Sequence, residues 1–513
     1  MKRLLILFAL PLIALTWGCK KNFLDVNVDP NRPTSGAIGP TAVLPNALNV
    51  TAGKNGNGFM DPGPNFTSGW MGYWSISGSY AVSGSDFTTY KETTDFGGGI
   101  WQGIYDNLED YQSVATDTRS SDFLKGIAMI MKAINYQYLV DMFNNVPYTD
   151  ALQATAVQFP KYDDAASIYA DNFKQISAAM ALITADVTPA PGAATDIMFA
   201  GNKTLWLKFA NTIKLRMLVR MSEMPTKPAF FATELAALAA DANGFLTTDA
   251  LVQPGYSNAT SKGNPFFQRY YDVNGNEVSS FGDFFRANQF SIDFLTNNSD
   301  PRLSKIYAPA TANGLFAGSV LGKLGGLPGN QLSRFGPGIL KGAGGTIPVS
   351  TAGAASPSVM MLAAESYFLQ AEAALRGWIP GNAQTLYESG VAASFSYLGA
   401  TGAATYYGQS GNANTTWAAT TGFDEQLSLI IRQKWVALNS INSFEAWNDR
   451  RRFDYEHPAG PLGDIPLSIS PNIDVPKIPY RILYPTIELQ TNKTNVLAQG
   501  TINHQASKIF WMR

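Results

Sequence analysis

The chain has 513 residues, of which 45% are hydrophobic, so it can bury a large core, and a disordered protein is excluded. Its 37 basic and 39 acidic side chains give a pI near 5.8, and without a basic surface field we expect no nucleic acid partner. Only 15% of the residues are charged, below the ~25% typical of globular proteins, so uncharged polar side chains dominate the predicted surface.

The N-terminus has the pattern of an export signal. Lys2 and Arg3 precede an apolar run over residues 4–15, which is too short to span a bilayer and predicts a cleavable signal peptide over residues 1–18. Cys19 follows directly, where signal peptidase II would cleave and the thiol would receive a diacylglyceryl group. We predict that Cys19 is lipidated and anchors the protein in a membrane; the alternative is a small buried side chain.

Histidine and cysteine are scarce in this chain. It has one cysteine and two histidines, His457 and His504, so it cannot form an internal disulfide and lacks the ligands of an ordinary zinc site. A nucleophile activated by histidine would have to use one of these two residues. We therefore predict no catalytic residues, no metal ligands of the zinc type and no cofactor, while scattered Asp and backbone oxygens leave a calcium site open.

Residues 66–101 place many aromatic side chains among Gly, Ser and Thr, with no sustained helical stripe. Flat rings on loops suit sugars, whose axial C–H bonds present an apolar face, and neighbouring polar groups can bind the hydroxyls. The alternative is that the rings pack the loops onto the rest of the protein. Four of them are the predicted ligand contacts: Trp70, Tyr73, Trp74 and Tyr80.

Four segments carry apolar side chains at the three- and four-residue spacing of amphipathic helices. Asp163 is the predicted cap of the second of these helices. We expect all four apolar stripes to face the core. Their members are Phe123, Ile127, Ile130, Ile134 and Tyr138; Tyr169, Phe173, Ile176, Met180 and Ile183; Trp206, Phe209, Ile213 and Met217; and Leu427, Ile431, Trp435 and Leu438.

The segment FFRANQF, residues 284–290, lies shortly before a DPRL motif at residues 300–303. It offers a ring and a fork of hydrogen-bond donors, so Phe285 and Arg286 are further predicted ligand contacts. The alternative is the start of a helix, with Arg286 in a surface ion pair.

Residues 364–394 predict two helices joined by a turn between Gly377 and Gly381. Small side chains on the first helix would let the second approach closely, as in a tetratricopeptide hairpin. Two tracts rich in Gly, Ala, Ser and Thr, roughly residues 312–356 and 399–421, predict loops or short strands. Long insertions of this kind are more often functional surfaces than spacers.

Two charged patterns favour structural roles. Arg450, Arg451 and Arg452 are surrounded by acidic residues, which favours internal salt bridges over polyanion binding. A glycoside hydrolase needs two carboxylates at a set separation, but the pairs at residues 163–164 and 424–425 fall in predicted first helical turns, where acids cap helices.

Segments along the chain, taken together in this order, resemble the SusD/RagB family in its SusD-like branch. They are FLDVNVDPNRP (23–33), KGIAMIMKAINYQYLVDMFNNVPYTDAL (125–152), WLKFANTIKLRMLVRM (206–221), DPRL (300–303), AESYFLQAEAALRGW (364–378), RQKWVALNSINSFEAWNDRRR (432–452) and IPYRILYP (478–485).

The resemblance implies a mainly α fold, with a tetratricopeptide-like helical scaffold, long irregular loops and minor β structure forming a ligand-binding face. We expect the scaffold mainly in residues 100–225 and 357–450, and the ligand face in residues 50–99, 250–356 and 399–421. Together these make one SusD-like domain over residues 19–513.

The resemblance also implies a lipoprotein of the outer membrane, facing the cell surface, that catalyses nothing. Such a protein captures oligosaccharide and delivers it to a SusC-like TonB-dependent transporter; some family members take peptides instead. A helical glycoside hydrolase and a scaffold that binds only proteins remain as alternatives.

Overall fold

The computed structural model describes residues 38–56, 66–80, 86–278, 283–339, 341, 348–453 and 460–513. The predicted signal peptide, Cys19 and His457 lie outside these ranges. The helices of the described residues are α1 (Pro40–Gly56), α2 (Phe66–Trp70), α3 (Asp86–Thr89), α4 (Gly98–Thr116), α5 (Asp122–Phe143), α6 (Ala165–Ala185), α7 (Lys203–Arg220), α8 (Phe230–Ala240), α9 (Pro265–Tyr270), α10 (Gln289–Asn297), α11 (Leu303–Ile306), α12 (Ala363–Leu375), α13 (Ala383–Leu398), α14 (Ala403–Tyr407), α15 (Gly422–Leu438), α16 (Ser443–Arg452), α17 (Thr486–Thr491) and α18 (Lys493–Leu497).

The strands of the described residues are short and form four two-stranded antiparallel sheets. Their bounds are β1 (Trp74–Ile76), β2 (Val146–Pro147), β3 (Tyr162–Asp163), β4 (Ala250–Val252), β5 (Phe285–Ala287), β6 (Tyr307–Ala308), β7 (Arg334–Phe335) and β8 (Ser358–Met361). The pairs are β1 with β5, β2 with β3, β4 with β8 and β6 with β7.

The helices pack as neighbours along the chain. Helix α5 lies against both α4 and α6, α7 packs on α6, and α12 pairs with α13 while also contacting α7 and α15. All four predicted apolar stripes are buried in this assembly. The predicted fold class, a mainly helical scaffold with long loops and minor β structure, is therefore confirmed.

The helix starts follow from side-chain caps. The Ser121 hydroxyl accepts a hydrogen bond from the backbone N–H of Leu124 and so begins α5. Helix α6 is capped by Asp164, which accepts from the N–H of Ser167, so the prediction that Asp163 is the cap was wrong by one residue. Asp163 lies in β3 instead.

The predicted hairpin of residues 364–394 is present as α12 and α13. Gly377 and Gly381 both have positive φ, +71° and +136°, a region that side chains disfavour. Gly390 on α13 faces Phe368, and a Cβ there would lie 2.9 Å from the phenyl ring. These glycines explain why the two helices can turn sharply and pack closely.

The arginine run at the end of α16 is buried, and its contacts lie inside the protein. Arg452 makes paired hydrogen bonds to Glu372, 2.7 and 2.6 Å from its two carboxylate oxygens, and a 3.0 Å bond to Asp449. Arg451 donates to the backbone carbonyl of Tyr480, and Arg450 to that of Ile465. The prediction of internal pairing is confirmed for Arg452, while its two neighbours bind backbone carbonyls.

Candidate ligand-binding face

Three of the predicted ligand contacts, Trp70, Tyr73 and Trp74, are fully buried. The Trp70 indole N–H donates to the carbonyl of Phe87, and the Trp74 indole N–H donates to the hydroxyl of Ser440. Protein atoms cover their rings, which leaves no ring face open to a ligand. The three rings therefore pack the loops onto the scaffold, which is the alternative to ligand contact that the sequence left open.

Phe285 and Arg286 are also inside the protein. They lie in β5, which pairs Phe285 with Ile76 of β1. The Arg286 guanidinium donates to the carbonyl of Gly329 at 2.8 Å, to Asp283 at 2.6 Å and to Glu277 at 3.1 Å. Arg286 is only 2% exposed, so it is neither at a helix start nor in a surface ion pair. It joins Glu277 and Asp283, which lie shortly before it in the chain, to the loop that contains Gly329.

Tyr80 is the predicted contact that reaches the surface. It is half-buried, and its ring meets that of Phe284 edge to face with centroids 5.1 Å apart. The backbone N–H of Ser77 donates to the carbonyl of Phe284, which extends the β1–β5 pairing and fixes the two segments side by side. Burial, followed by the charge of Asp283, raises the pKa of Tyr80, so its hydroxyl stays protonated and can donate.

A glycine-rich loop supports this ring pair. The N–H of Gly78 donates to the carbonyl of Leu327, and a Cβ at Gly78 would lie 2.0 Å from the carbonyl oxygen of Gly326. A larger side chain at Gly78 would therefore push the loop away from the ring pair. Leu324 and Leu327 on that loop are about half exposed, at 49% and 47%, which adds apolar surface.

A groove that the sequence did not reveal follows β5 in the chain. It has a volume of about 540 Å³ and lies between α10 and residues 410–414. The sequence contains two phenylalanines four residues apart and an asparagine-rich loop, but no local pattern predicts that these two segments meet. Its lining includes Phe290, Phe294, Asp293, Asn297, Asn298, Asn412 and Asn414.

The asparagines of this groove are already ordered. The Asn412 side-chain amide donates to the side-chain oxygen of Asn298 at 3.1 Å, and the amide of Gln409 donates to the Asn298 carbonyl. The bridge between Asn288 and Ser319 ties the start of α10 to the loop beneath Tyr80. We refer to the Tyr80–Phe284 pair and this groove together as the loop face.

The described residues show no helix with the length and apolar character needed to cross a membrane. They also contain no group of three or more His, Cys, Asp and Glu side chains placed to hold a metal ion. His504 is bound through its Nε2 atom to the backbone carbonyl of Tyr90, at 2.8 Å.

The fold is a helical scaffold that presents an irregular surface of loops. Over residues 30–485 the chain matches the model of the SusD-like family, whose description is starch-binding and associating with the outer membrane. The chain belongs to this family. No curated protein matches it.

Solved structures with the same fold include a chitin-binding SusD homologue from Flavobacterium johnsoniae, with a TM-score of 0.71 and 22% identity, covering 91% of this chain and 98% of that one. A SusD homologue from Bacteroides uniformis has a TM-score of 0.71 and 23% identity, covering 92% and 99%. A SusD-like protein from Bacteroides thetaiotaomicron has a TM-score of 0.70 and 22% identity, covering 90% and 95%.

Proposed function

We propose that this protein captures oligosaccharide on its loop face, as an outer-membrane lipoprotein anchored through Cys19, and delivers it to a SusC-like TonB-dependent transporter. The observation that carries the proposal is the partly exposed Tyr80–Phe284 pair. The starch-binding description of the family and the chitin-binding SusD homologue among the structural relatives support a carbohydrate ligand.

The ring pair suits the apolar face of a sugar. Two rings set edge to face give a step of apolar surface, and the exposed leucines of the neighbouring loop widen it. We propose that the tyrosine hydroxyl also binds a sugar hydroxyl. Because Arg286 holds the adjacent loops from below, little ordering is left to occur when a ligand binds.

The asparagine-rich groove gives room for a longer chain. Amide side chains both donate and accept hydrogen bonds, as sugar hydroxyls do, and Phe290 and Phe294 give the groove an apolar floor. Its volume falls within the range of about 300 to 1,000 Å³ typical of small-molecule sites. We propose that a glycan held at Tyr80 extends into this groove.

We propose that binding is followed by transport and not by hydrolysis. The carboxylates whose charges act on Tyr80, Asp283 and Glu277, are both held by Arg286. Burial raises the pKa of Glu277 and Arg286 opposes the rise, so this carboxylate belongs to a structural ion pair. Neither group is therefore assigned to acid–base chemistry.

Calorimetry on the mature protein tests the ligand class. Starch-derived and chitin-derived oligosaccharides are compared with short peptides, for the wild type and for Tyr80→Ala. We expect an oligosaccharide to bind and Tyr80→Ala to weaken it by roughly five- to thirtyfold, the loss of one stacking anchor. Tyr367→Ala, at a half-buried tyrosine on α12, is the matched control.

Two results would contradict this assignment. Unchanged glycan affinity in both Tyr80→Ala and Phe284→Ala would move the ligand away from the ring pair. Binding of peptides alone, sensitive to the same two substitutions, would keep the site and replace oligosaccharide by peptide as the ligand.

A further inference from the structure

A second cleft lies on the helical scaffold, away from the loop face. It has a volume of about 410 Å³ and opens between α4, α5, α6 and residues 148–153. Its polar lining consists of Gln112, Lys132, Tyr136, Tyr148, Thr149, Gln153, Asp171, Asn172 and Gln175, and its apolar lining of Met129, Ala133, Ala151 and Leu152.

The loop wall of this cleft is fixed in place. The Asp163 carboxylate accepts hydrogen bonds from the N–H groups of Tyr148 and Thr149, both at 2.9 Å, and from the Thr149 hydroxyl. The Tyr148 hydroxyl donates to Asp171 at 2.5 Å. These bonds connect the loop to β3 and α6, so the cleft exists before any ligand arrives.

One buried polar atom of the cleft wall is unsatisfied, and a tyrosine lies beside it in the lining. Tyr136 is 3% exposed and lines the cleft. The side-chain oxygen of Asn172 has no hydrogen-bond partner within the described part of the chain, although its amide donates to the carbonyl of Ala133. Buried polar groups are normally paired, and leaving one unpaired costs about 1–3 kcal/mol. The unpaired acceptor of Asn172 indicates a ligand that donates a hydrogen bond, and the hydroxyl of Tyr136 in the same lining can take part as donor or acceptor.

The charges of the cleft favour a neutral ligand. The lining contains one cation, Lys132, and one anion, Asp171. Lys132 donates to the side-chain oxygen of Gln112, and Asp171 accepts from Gln175 as well as from Tyr148. Both charges already have partners, and neither sign is in excess.

We propose that this cleft binds one or two sugar units, as a second carbohydrate site separate from the loop face. Hydroxyl groups supply both donors and acceptors for Tyr136, Asn172 and the three glutamines of the lining. The rings of Tyr136 and Tyr148, edge to face at 4.6 Å, supply an apolar wall for the C–H face of the sugar. The volume suits a ligand of this size.

Ligand-observed NMR and calorimetry test the site with four probes: glucose, maltose, N-acetylglucosamine and diacetylchitobiose. The measurements use Tyr80→Ala protein, so that loop-face binding is weakened and the cleft is observed separately. In this background we expect Tyr136→Phe, which removes only the hydroxyl that lines the cleft, to lower the affinity for at least one probe about fivefold or more. Tyr111→Phe, at a buried tyrosine of α4 outside the cleft, is the matched control and should leave the affinity unchanged.

A second variant distinguishes loss of ligand contact from loss of folding. Gln153→Ala changes an exposed lining residue, so it leaves no cavity in the core, and it should weaken binding of the same probe. The proposal is overturned if none of the four sugars binds in a manner sensitive to Tyr136→Phe or Gln153→Ala. It is equally overturned if a co-purified protein, and no sugar, shields the loop of residues 148–153 from hydrogen exchange. Loss of binding on Tyr80→Ala alone would support the loop face and contradict the cleft.

Discussion

The hydroxyl of Tyr73 donates a 2.6 Å hydrogen bond to the backbone carbonyl of Trp435, and the two rings stack with centroids 5.1 Å apart. Trp435 begins the last turn of α15. The last four carbonyls of a helix accept no hydrogen bond from within the helix. The tyrosine thereby satisfies a buried helix end. The indole N–H of Trp435 in turn donates to the carbonyl of Met71, so hydrogen bonds run in both directions between Trp435 and the segment of residues 71–73.

Tyr73→Phe should therefore lower stability without changing glycan affinity. The phenyl ring keeps the stacking but leaves the Trp435 carbonyl unpaired in the core, which costs about 1–3 kcal/mol. Urea unfolding measures the free energy of unfolding, and calorimetry measures the affinity. A variant as stable as the wild type but weaker in binding would show that Tyr73 serves the ligand.

Arg452→Met should destabilise the protein strongly. Removing the guanidinium leaves the buried carboxylates of Glu372 and Asp449 without this partner, and breaking a buried pair costs about 3–5 kcal/mol. Thermal or urea unfolding measures the loss. Arg119→Met, which removes an exposed pair with Asp117, is the matched control and should have little effect. Equal stability of the Arg452 variant and the wild type would contradict this account of the arginine run.

Glu365 should make stability depend on pH. Burial, and then the charge of Glu445, raises the pKa of Glu365 from 4.5 to about 7, although Arg216 lies 3.6 Å away. Burial also acts to raise the pKa of Glu445, but Arg220 at 2.5 Å and Arg216 overcome it, so the net shift of Glu445 is downward. Below about pH 7, Glu445 therefore stays charged while Glu365 holds a proton.

The sign of the dependence follows from proton binding. Between pH 4.5 and about 7 the folded state binds more protons at Glu365 than the unfolded state, so its contribution is complete below pH 4.5 and is lost as pH rises through about 7. Glu365→Gln should remove this loss and gain roughly 1–3 kcal/mol over the wild type across that window. Urea unfolding at several pH values measures it, with Glu388→Gln on the surface of α13 as control. Parallel curves for wild type and Glu365→Gln would refute the assignment.

Cys19→Ser should release the protein from membranes. The predicted lipid on Cys19 is the proposed anchor, and serine has no thiol to receive it. Fractionation in high salt and labelling with a fatty-acid analogue measure the effect. If the variant stays in the outer-membrane fraction and the wild type takes up no label, the anchor lies elsewhere.

A TonB-dependent barrel should co-purify with the protein after extraction in mild detergent. We expect this because a tethered binding protein needs a partner to move its ligand across the membrane. Mass spectrometry of the complex identifies the barrel. Extraction of the protein alone, with its glycan affinity intact, would count against delivery to a transporter.

The local patterns of the sequence were sufficient to predict the helices of the scaffold. Stripes such as that from Phe123 to Tyr138 are buried as predicted, because a period of three and four residues fixes which helix face is apolar wherever the helix packs. The turn of α12 and α13 was predictable for the same reason, since Gly377 and Gly381 act within their own neighbourhood. The family resemblance extended this to the whole chain.

Tertiary structure decided which aromatic and charged side chains remain accessible. Trp70, Tyr73 and Trp74 share their composition and surroundings with Tyr80, but their partners lie up to 366 residues away in the chain, and no local period encodes those contacts. Arg286 combines both kinds of contact: Asp283 and Glu277 lie three and nine residues before it, while Gly329 lies 43 residues further on. The sequence by itself determined the helices and the family; burial, which depends on where distant segments meet, left Tyr80 at the surface and opened the two clefts.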